Sequence, residues 1–208
     1  ASEILKETAD RIIPCHFELG GKSAAIIYPD ADIDKAVDST IKGIFKPNAG
    51  QICVAMSRVI IHPKVKDEYM TKLVSKTKEL KIGAGDNSST EVTPLISKEQ
   101  IKRVSNYVKS GVQSGATLTL GGEELEIGKG NYYLPTIFDN VDKESTIAQE
   151  EIFGPVTSIF DFEDNEQAIE IANSTNYGLA SGVFTSDDQK AKWTAERINA
   201  GIIWQNDW

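Results

Sequence analysis

Cysteine and histidine are scarce in this sequence. Its 208 residues include two cysteines, Cys15 and Cys53, and two histidines, His16 and His62. Two cysteines in a chain of this length do not make a disulfide scaffold, so we expect free thiols and a reducing, cytoplasmic compartment. Neither a CxxC nor an HxxxH spacing occurs, and we therefore expect no metal site.

Basic residues and long apolar runs are scarce as well. Lysine and arginine total 22 against 31 acidic residues, which gives a net charge of −9. This charge argues against a nucleic-acid partner, because phosphate binding needs clustered Lys and Arg. The longest apolar runs, such as 201–204, are far shorter than the ~20 residues that cross a bilayer, so we expect no membrane partner. The first residues do not have a basic, apolar, small-residue pattern, so we expect no secretory signal.

The spacing of apolar residues predicts strands that alternate with helices. The predicted strands cover 13–19, 24–28, 58–62, 116–120, 132–138, 156–162, 180–185 and 201–205. The predicted helices are one that ends near Ile12, one capped by Asp32, 64–80, 97–114 with a capping box of Ser97 and Gln100, and two that begin at Asp164 and Asp187. This alternation is typical of an α/β fold with an open, mostly parallel sheet and helices on both faces.

Both ends of the chain fall at unusual places. The first residue is Ala1 rather than Met, the chain begins inside a helix–strand unit, and it stops directly after a predicted buried strand. We therefore expect a piece of a longer protein.

Two short segments carry residues suited to chemistry. Residues 17–24 read Phe-Glu-Leu-Gly-Gly-Lys-Ser-Ala, so Glu18 precedes two glycines that permit a tight turn and close approach of a ligand or a second backbone. Residues 48–53 read Asn-Ala-Gly-Gln-Ile-Cys and place Cys53 on a loop, where catalytic groups concentrate. Each segment also has a plain structural interpretation: Glu18 could be a solvated carboxylate beside a turn, and Cys53 could be a small buried hydrophobe. We interpret Cys15 as such a buried thiol, packed in the core.

Together with three later segments, these two resemble the aldehyde dehydrogenase family. E-L-G-G-K-S at 18–23 is followed, 35 residues after Glu18, by the cysteine of G-Q-x-C. Residues 150–155 read E-E-I-F-G-P, 173–180 end in Y-G-L-A, and 201–206 match G-x-x-x-x-N. The resemblance runs in family order from about Pro14 to the last residue. It implies that 1–19 end a cofactor-binding domain and that 20–208 form the catalytic domain.

The resemblance also implies the chemistry. Cys53 would attack an aldehyde to give a thiohemiacetal and then a thioester, Glu18 would activate the water that releases the acid, and Asn206 would stabilise the site near the thiol. An ordinary thiol has a pKa near ~8.5, so some local lowering is needed.

For the cofactor, NAD or NADP, the resemblance implies a second set of residues. Glu151 and Gln100 would hold the nicotinamide-side ribose, Phe153 would pack beside the nicotinamide, and Gly20 would let the cofactor approach the backbone. The substrate would be a small-molecule aldehyde, and the full-length protein a homo-oligomer. The sequence lacks a Rossmann glycine fingerprint, so most cofactor contacts are expected from outside this chain.

Two functions of another kind fit less of the sequence. Cys53 with His16 or His62 could form a hydrolase or acyltransferase pair, although neither histidine lies in a motif with an orienting carboxylate. A non-catalytic relative could keep the fold, although the pair of Cys53 and Glu18 argues against lost chemistry. One departure from the family, Lys46-Pro47 before the cysteine loop, predicts an altered wall of the substrate tunnel.

Overall fold

A seven-stranded sheet forms the centre of the computed structural model, which describes residues 1–208 apart from the side chain of Pro47. The strands are β1 (Ala24–Ile27), β2 (Arg58–Ile61), β3 (Thr117–Leu120), β4 (Glu124–Leu125), β5 (Tyr132–Tyr133), β6 (Thr136–Asp139), β7 (Val156–Asp161), β8 (Ala180–Phe184) and β9 (Ile202–Gln205). Their order across the sheet is β3-β6-β7-β2-β1-β8-β9. Every neighbouring pair is parallel except β3 and β6, and β4 pairs separately with β5 in antiparallel fashion.

Helices connect most of these strands. They are α1 (Ser2–Ala9), α2 (Ile33–Thr40), α3 (Pro63–Lys78), α4 (Lys98–Gln113), α5 (Thr146–Gln149), α6 (Asn165–Ala172) and α7 (Asp188–Ala195), with a π-helical turn at Ile41–Phe45 and a 3₁₀ turn at Pro47–Gly50. The predicted helix starts are confirmed, because the cap side chain in each case accepts a backbone N–H of the first turn; these caps are Asp32, Ser97, Asp164 and Asp187.

The core lies on both sides of the central strands. Every residue of β1, β2 and β8 is buried. Because successive side chains of a strand point to opposite faces, full burial means that both faces are covered. The expected open, mostly parallel sheet with helices on both faces is therefore confirmed. No helix in the described part of the chain is long and apolar enough to span a bilayer.

A buried arginine joins the sheet to a helix end. Arg58, at the start of β2, is 2% exposed. Its guanidinium donates to the carbonyls of Lys22, Ile171 and Ala172 at 3.0, 2.8 and 2.7 Å. The last two carbonyls belong to the final turn of α6, where a cation is well placed. Burial lowers the pKa of Arg58 to about 10.

The amino-terminal stretch differs from the prediction. Helix α1 ends at Ala9, and 13–19 form no strand; Ile12 is 88% exposed. A strand needs a partner for its backbone hydrogen bonds, and none pairs with 13–19 within the described residues. The prediction that Cys15 packs in the core is also wrong. It is half-buried, with its sulfur 3.4 Å from the hydroxyl of Thr8.

Two further predictions need correction. The predicted strand 132–138 is broken into β5 and β6, since Pro135 has no N–H to give to a ladder. The predicted capping box forms only by half. Ser97 accepts the N–H of Gln100 at 3.1 Å, but the Gln100 amide turns away to the carbonyls of Ile152 and Phe153.

Candidate active site

Three of the motif segments meet at the end of the sheet where its parallel strands begin. Gly21, Cys53 and Glu151 lie in loops that precede β1, β2 and β7, which are adjacent parallel strands. Parallel strands all begin at the same end of a sheet, so the loops before neighbouring strands lie side by side. This brings Gly21 and Glu151 together although they are 130 residues apart in sequence.

The loop before Cys53 has an unusual backbone. Asn48, Ala49 and Gly50 all have left-handed φ values, of 47°, 50° and 74°. A Cβ on Gly50 would lie 2.2 Å from the carbonyl oxygen of Gly154, so a glycine is required here. Cys53 follows in a turn closed by the Ala55 N–H on the Ile52 carbonyl at 3.1 Å. Strained backbone of this kind is concentrated at functional sites, and here it holds a half-buried, free thiol.

Two glycines let the other segments approach that loop. A Cβ on Gly21 would lie 2.3 Å from the carbonyl oxygen of Cys53, and one on Gly20 would lie 2.5 Å from the carboxylate of Glu151. The Gly21 N–H donates to Glu151 Oε1 at 2.9 Å. The expected close approach to Gly20 and Gly21 is thus made by the neighbouring segments of the chain itself.

Glu18, two residues before Gly20, is exposed to solvent. Its side chain is 80% exposed, and its Oε1 is hydrogen-bonded to His16 Nε2 at 2.9 Å. Sequence reasoning did not foresee His16 as a partner of Glu18. The signal was available, since residues two apart in an extended chain point to the same side.

Phe153 and Gln100 belong to one contact. Phe153 is 37% exposed and has a left-handed φ of 59°. Gln100 Nε2 donates to the carbonyl of Phe153 at 2.7 Å and to that of Ile152 at 3.1 Å. The Gln100 amide therefore holds the backbone of the segment that carries Glu151 and Phe153.

Asn206 follows the carboxyl end of β9, which runs parallel to β8. Its amide bonds both backbone groups of Thr185, the N–H at 3.0 Å and the carbonyl at 2.9 Å. The nearby residue that reaches the thiol loop is Trp208, whose indole N–H donates to the Val54 carbonyl at 3.1 Å.

Lys22 is an unforeseen buried cation beside the glycines. It is 2% exposed, and its Nζ finds no hydrogen-bond partner within the described part of the chain. Burial, and then the nearby charge of Arg58, lower the pKa of Lys22 to about 7, although Glu151 and Glu150 oppose the shift.

Two spaces flank the Glu150–Phe153 segment. An open cleft of about 610 Å³ lies over α4, with Gln100 and Glu150 on its wall. A void of about 10 Å³, room for about one water, lies beneath the Cys53 loop beside Gly21, Ser57 and Glu151. The Ser57 hydroxyl is buried without a partner among the described residues, which gives such a water a polar group to bind.

Before the cysteine loop, Lys46 forms an ion pair with Glu91 at 2.8 Å. The side chain of Pro47, the other half of the predicted change in the tunnel wall, lies outside the described residues.

Comparison with known proteins gives a consistent result. The profile described as Aldehyde dehydrogenase family matches residues 1–208. Betaine aldehyde dehydrogenase of Bacillus subtilis is 39% identical over 99% of this chain and 42% of its own length. Succinate-semialdehyde dehydrogenase [NADP(+)] 2 of Schizosaccharomyces pombe is 38% identical over 98% of this chain and 41% of its own length.

Among solved structures, the NAD-dependent aldehyde dehydrogenase of Sinorhizobium meliloti superposes with a TM-score of 0.94 at 36% identity, over 99% of this chain and 41% of that one. The chain thus spans about two-fifths of the length of these relatives. With its motifs, its fold and a family match over all 208 residues, this chain belongs to the aldehyde dehydrogenase family.

Proposed function

We propose that this chain is the catalytic part of an enzyme that oxidises an aldehyde to a carboxylic acid with NAD or NADP. The observation that carries the proposal is the junction of Gly21, Cys53 and Glu151. There the strained loop that bears the free, half-buried Cys53 thiol contacts the segments of two other family motifs. The names of the relatives, which are aldehyde dehydrogenases using NAD or NADP, support the same reaction.

In the first half of the reaction, the Cys53 thiolate attacks the aldehyde carbon to give a thiohemiacetal. The aldehyde oxygen takes up negative charge and needs fixed donors, each commonly worth ~2.7–4 kcal/mol. The Cys53 N–H is one candidate, since it makes no backbone hydrogen bond within the described residues. The cofactor, when bound, would supply the hydride acceptor, and loss of hydride from the thiohemiacetal would leave the acyl group on Cys53 as a thioester.

In the second half, a water deprotonated by Glu18 attacks the thioester and releases the acid. The exposure of Glu18 and its bond to His16 suit a carboxylate that water can reach. Because 10–23 contain no helix or strand, Glu18 would be aimed at the thioester only once this segment is held by the rest of the enzyme.

The residues present are chemically suited to the nicotinamide end of the cofactor. The Glu151 carboxylate can accept hydrogen bonds from ribose hydroxyls, and the partly exposed ring of Phe153 can pack on the nicotinamide. Gln100 would act beside them, and the missing Cβ of Gly20 leaves room for the Glu151 carboxylate.

We further propose that 1–19 are the end of a cofactor-binding domain and that 20–208 are the catalytic domain. The first stretch exposes apolar side chains that a further domain would cover; these are Ile4, Leu5, Ile12, Ile13 and Leu19. A reducing, cytoplasmic compartment would keep the thiol free for this reaction. We also propose that the full-length protein is a homo-oligomer.

The test compares variants of the full-length gene product by NAD(P)H formation with a panel of aldehydes. Cys53→Ser should abolish turnover, and Glu18→Gln should allow a single-turnover burst and then stop. Cys15→Ser, the matched control, should keep activity. Alkylation with iodoacetamide and peptide mapping should label Cys53 before Cys15. Full NAD(P)H formation in Cys53→Ser would contradict the proposal.

A further inference from the structure

The segment that carries Glu151 and Phe153 is held by side chains from one face of α4. Arg103 donates to the Glu151 carbonyl at 2.8 Å, and the Tyr107 hydroxyl donates to the Glu150 carboxylate at 2.7 Å. The Gln100 amide adds the two bonds to the carbonyls of Ile152 and Phe153. Residues 100, 103 and 107 are three and four apart, so they share one helix face.

These side chains support each other and stand on a fixed base. The Arg103 guanidinium lies over the Tyr107 ring at 5.6 Å from its centroid, a cation–π distance. The adjacent side of α4 is buried in the core through Ile101, Val104 and Val108. A Cβ on Gly154 would meet Val104 at 2.5 Å, so the helix and the segment are in close contact.

The segment needs support from outside itself. It belongs to no helix or strand between Glu150 and Val156. Phe153 has a left-handed φ, which is uncommon for a non-glycine residue and persists only where surrounding structure enforces it. Core burial of Ile152 and the close contact of Gly50 with Gly154 hold one side of the segment. The contacts from α4 hold the backbone carbonyls of Glu151, Ile152 and Phe153.

We propose that Arg103 and Tyr107 are positioning residues that, with Gln100, fix where Glu151 and Phe153 stand to receive the nicotinamide end of the cofactor. The inference rests on the proposed function, in which Glu151 and Phe153 hold that end. Arg103 and Tyr107 act through the backbone and carboxylate of the segment. A displacement of about 1 Å in such a group is enough to cost ~10²-fold in rate.

The test measures KM for NAD(P)+ and kcat in full-length Arg103→Met and Tyr107→Phe proteins. A hydrogen bond with a charged partner is commonly worth a factor of roughly ten or more. We therefore expect KM for NAD(P)+ to rise about tenfold in Arg103→Met, and less in Tyr107→Phe, while iodoacetamide labels Cys53 without cofactor at an unchanged rate. Lys109→Met, an exposed lysine on the same helix, is the matched control and should leave all three values unchanged.

A double-mutant cycle separates positioning from direct contact. If Arg103 acts through Glu151, Arg103→Met should raise KM far less in a Glu151→Gln background than alone. If the two substitutions raise KM for NAD(P)+ by factors that multiply in the double variant, Arg103 contacts the cofactor by itself and the inference is wrong. An unchanged KM in Arg103→Met would also overturn it. Failure of the proposed function is distinguishable, because the wild-type full-length protein would then form no NAD(P)H.

Discussion

At the scale of single residues, the site depends on places where a side chain is missing. Gly21 brings its backbone against the Cys53 carbonyl and gives its N–H to Glu151, and both contacts exist because no Cβ stands between the segments. Gly50 meets the same need against Gly154, with a backbone conformation that other residues rarely adopt. The glycines therefore set the distance between the motif that bears the nucleophile and its neighbours.

Gly21→Ala tests this dependence. The added Cβ would sit 2.3 Å from a backbone oxygen that cannot move aside cheaply, so we expect the unfolding free energy to fall by about 1–3 kcal/mol, as for an overpacked core. In the full-length protein, turnover should also fall. Gly85→Ala is the control, because its Cβ would meet only Thr93 at an ordinary 3.7 Å. Equal urea midpoints for the two variants would refute the prediction.

Lys22 should make stability depend on pH. Its pKa is about 7 in the folded chain and 10.5 ordinarily, so the unfolded chain binds the extra proton between these values. Stability should therefore fall as the pH is lowered from 10.5 to 7 and this contribution should level off below 7. Lys22→Met should remove that slope and raise the unfolding free energy at pH 7 by a few kcal/mol at most, since one pKa unit is about 1.36 kcal/mol.

Urea unfolding of Lys22→Met at pH 7 and pH 10 measures this effect, with Lys109→Met as an exposed control. A stabilisation of Lys22→Met that is as large at pH 10 as at pH 7 would show that side-chain packing, and not charge, is responsible.

At the scale of elements, one cation ties strand β2 to the end of helix α6. Replacing Arg58 with Met would leave the carbonyls of Lys22, Ile171 and Ala172 without their buried donor. The Ile171 carbonyl would keep its bonds from Ser174, but those of Lys22 and Ala172 would be unsatisfied. Each unsatisfied group costs about 1–3 kcal/mol, so we expect the unfolding free energy to fall by about 2 kcal/mol or more. Arg58→Lys should recover little, since an ammonium cannot span three carbonyls as a guanidinium does. A thermal unfolding midpoint within experimental error of wild type in Arg58→Met would contradict this account.

The same scale shows why helix starts were predictable and some partners were not. Asp32, Ser97, Asp164 and Asp187 cap helices through contacts two or three residues along the chain, which a local pattern contains. Gln100 satisfied the local pattern of a capping box equally well. Its amide donates instead to the carbonyls of Ile152 and Phe153, which are 52 and 53 residues further along the chain, and no local pattern specifies such partners.

At the scale of the whole molecule, we expect this chain alone to fold and to be inactive. Its sheet is continuous and covered on both faces, but the chain spans about two-fifths of its relatives. Glu151 and Phe153 would reach one end of a dinucleotide only. The resemblance to the family also implies that a second oxyanion donor, an asparagine side chain, comes from the cofactor domain. Its loss would slow the reaction by a further ~10²–10³-fold.

Circular dichroism and NAD(P)H formation, on this chain and on the full-length product side by side, measure the two parts of that expectation. Native-like helix and strand content without turnover is the expected result for the chain alone. Robust turnover by the chain alone would mean that its cofactor site is complete within these 208 residues.

The sequence by itself determined the alternation of strands and helices, the caps, and the identity of Cys53 and Glu18 as candidate catalytic groups, because periodicity and short motifs are local properties. Only the tertiary structure decided that 13–19 form no strand, that Lys22 is buried, and that the Asn206 amide bonds the backbone of Thr185. Those outcomes depend on strand order and on contacts between distant residues, such as the Gly21 N–H and the Glu151 carboxylate. Backbone pairing and burial are settled by which segments meet in space, and that is a property of the folded chain as a whole.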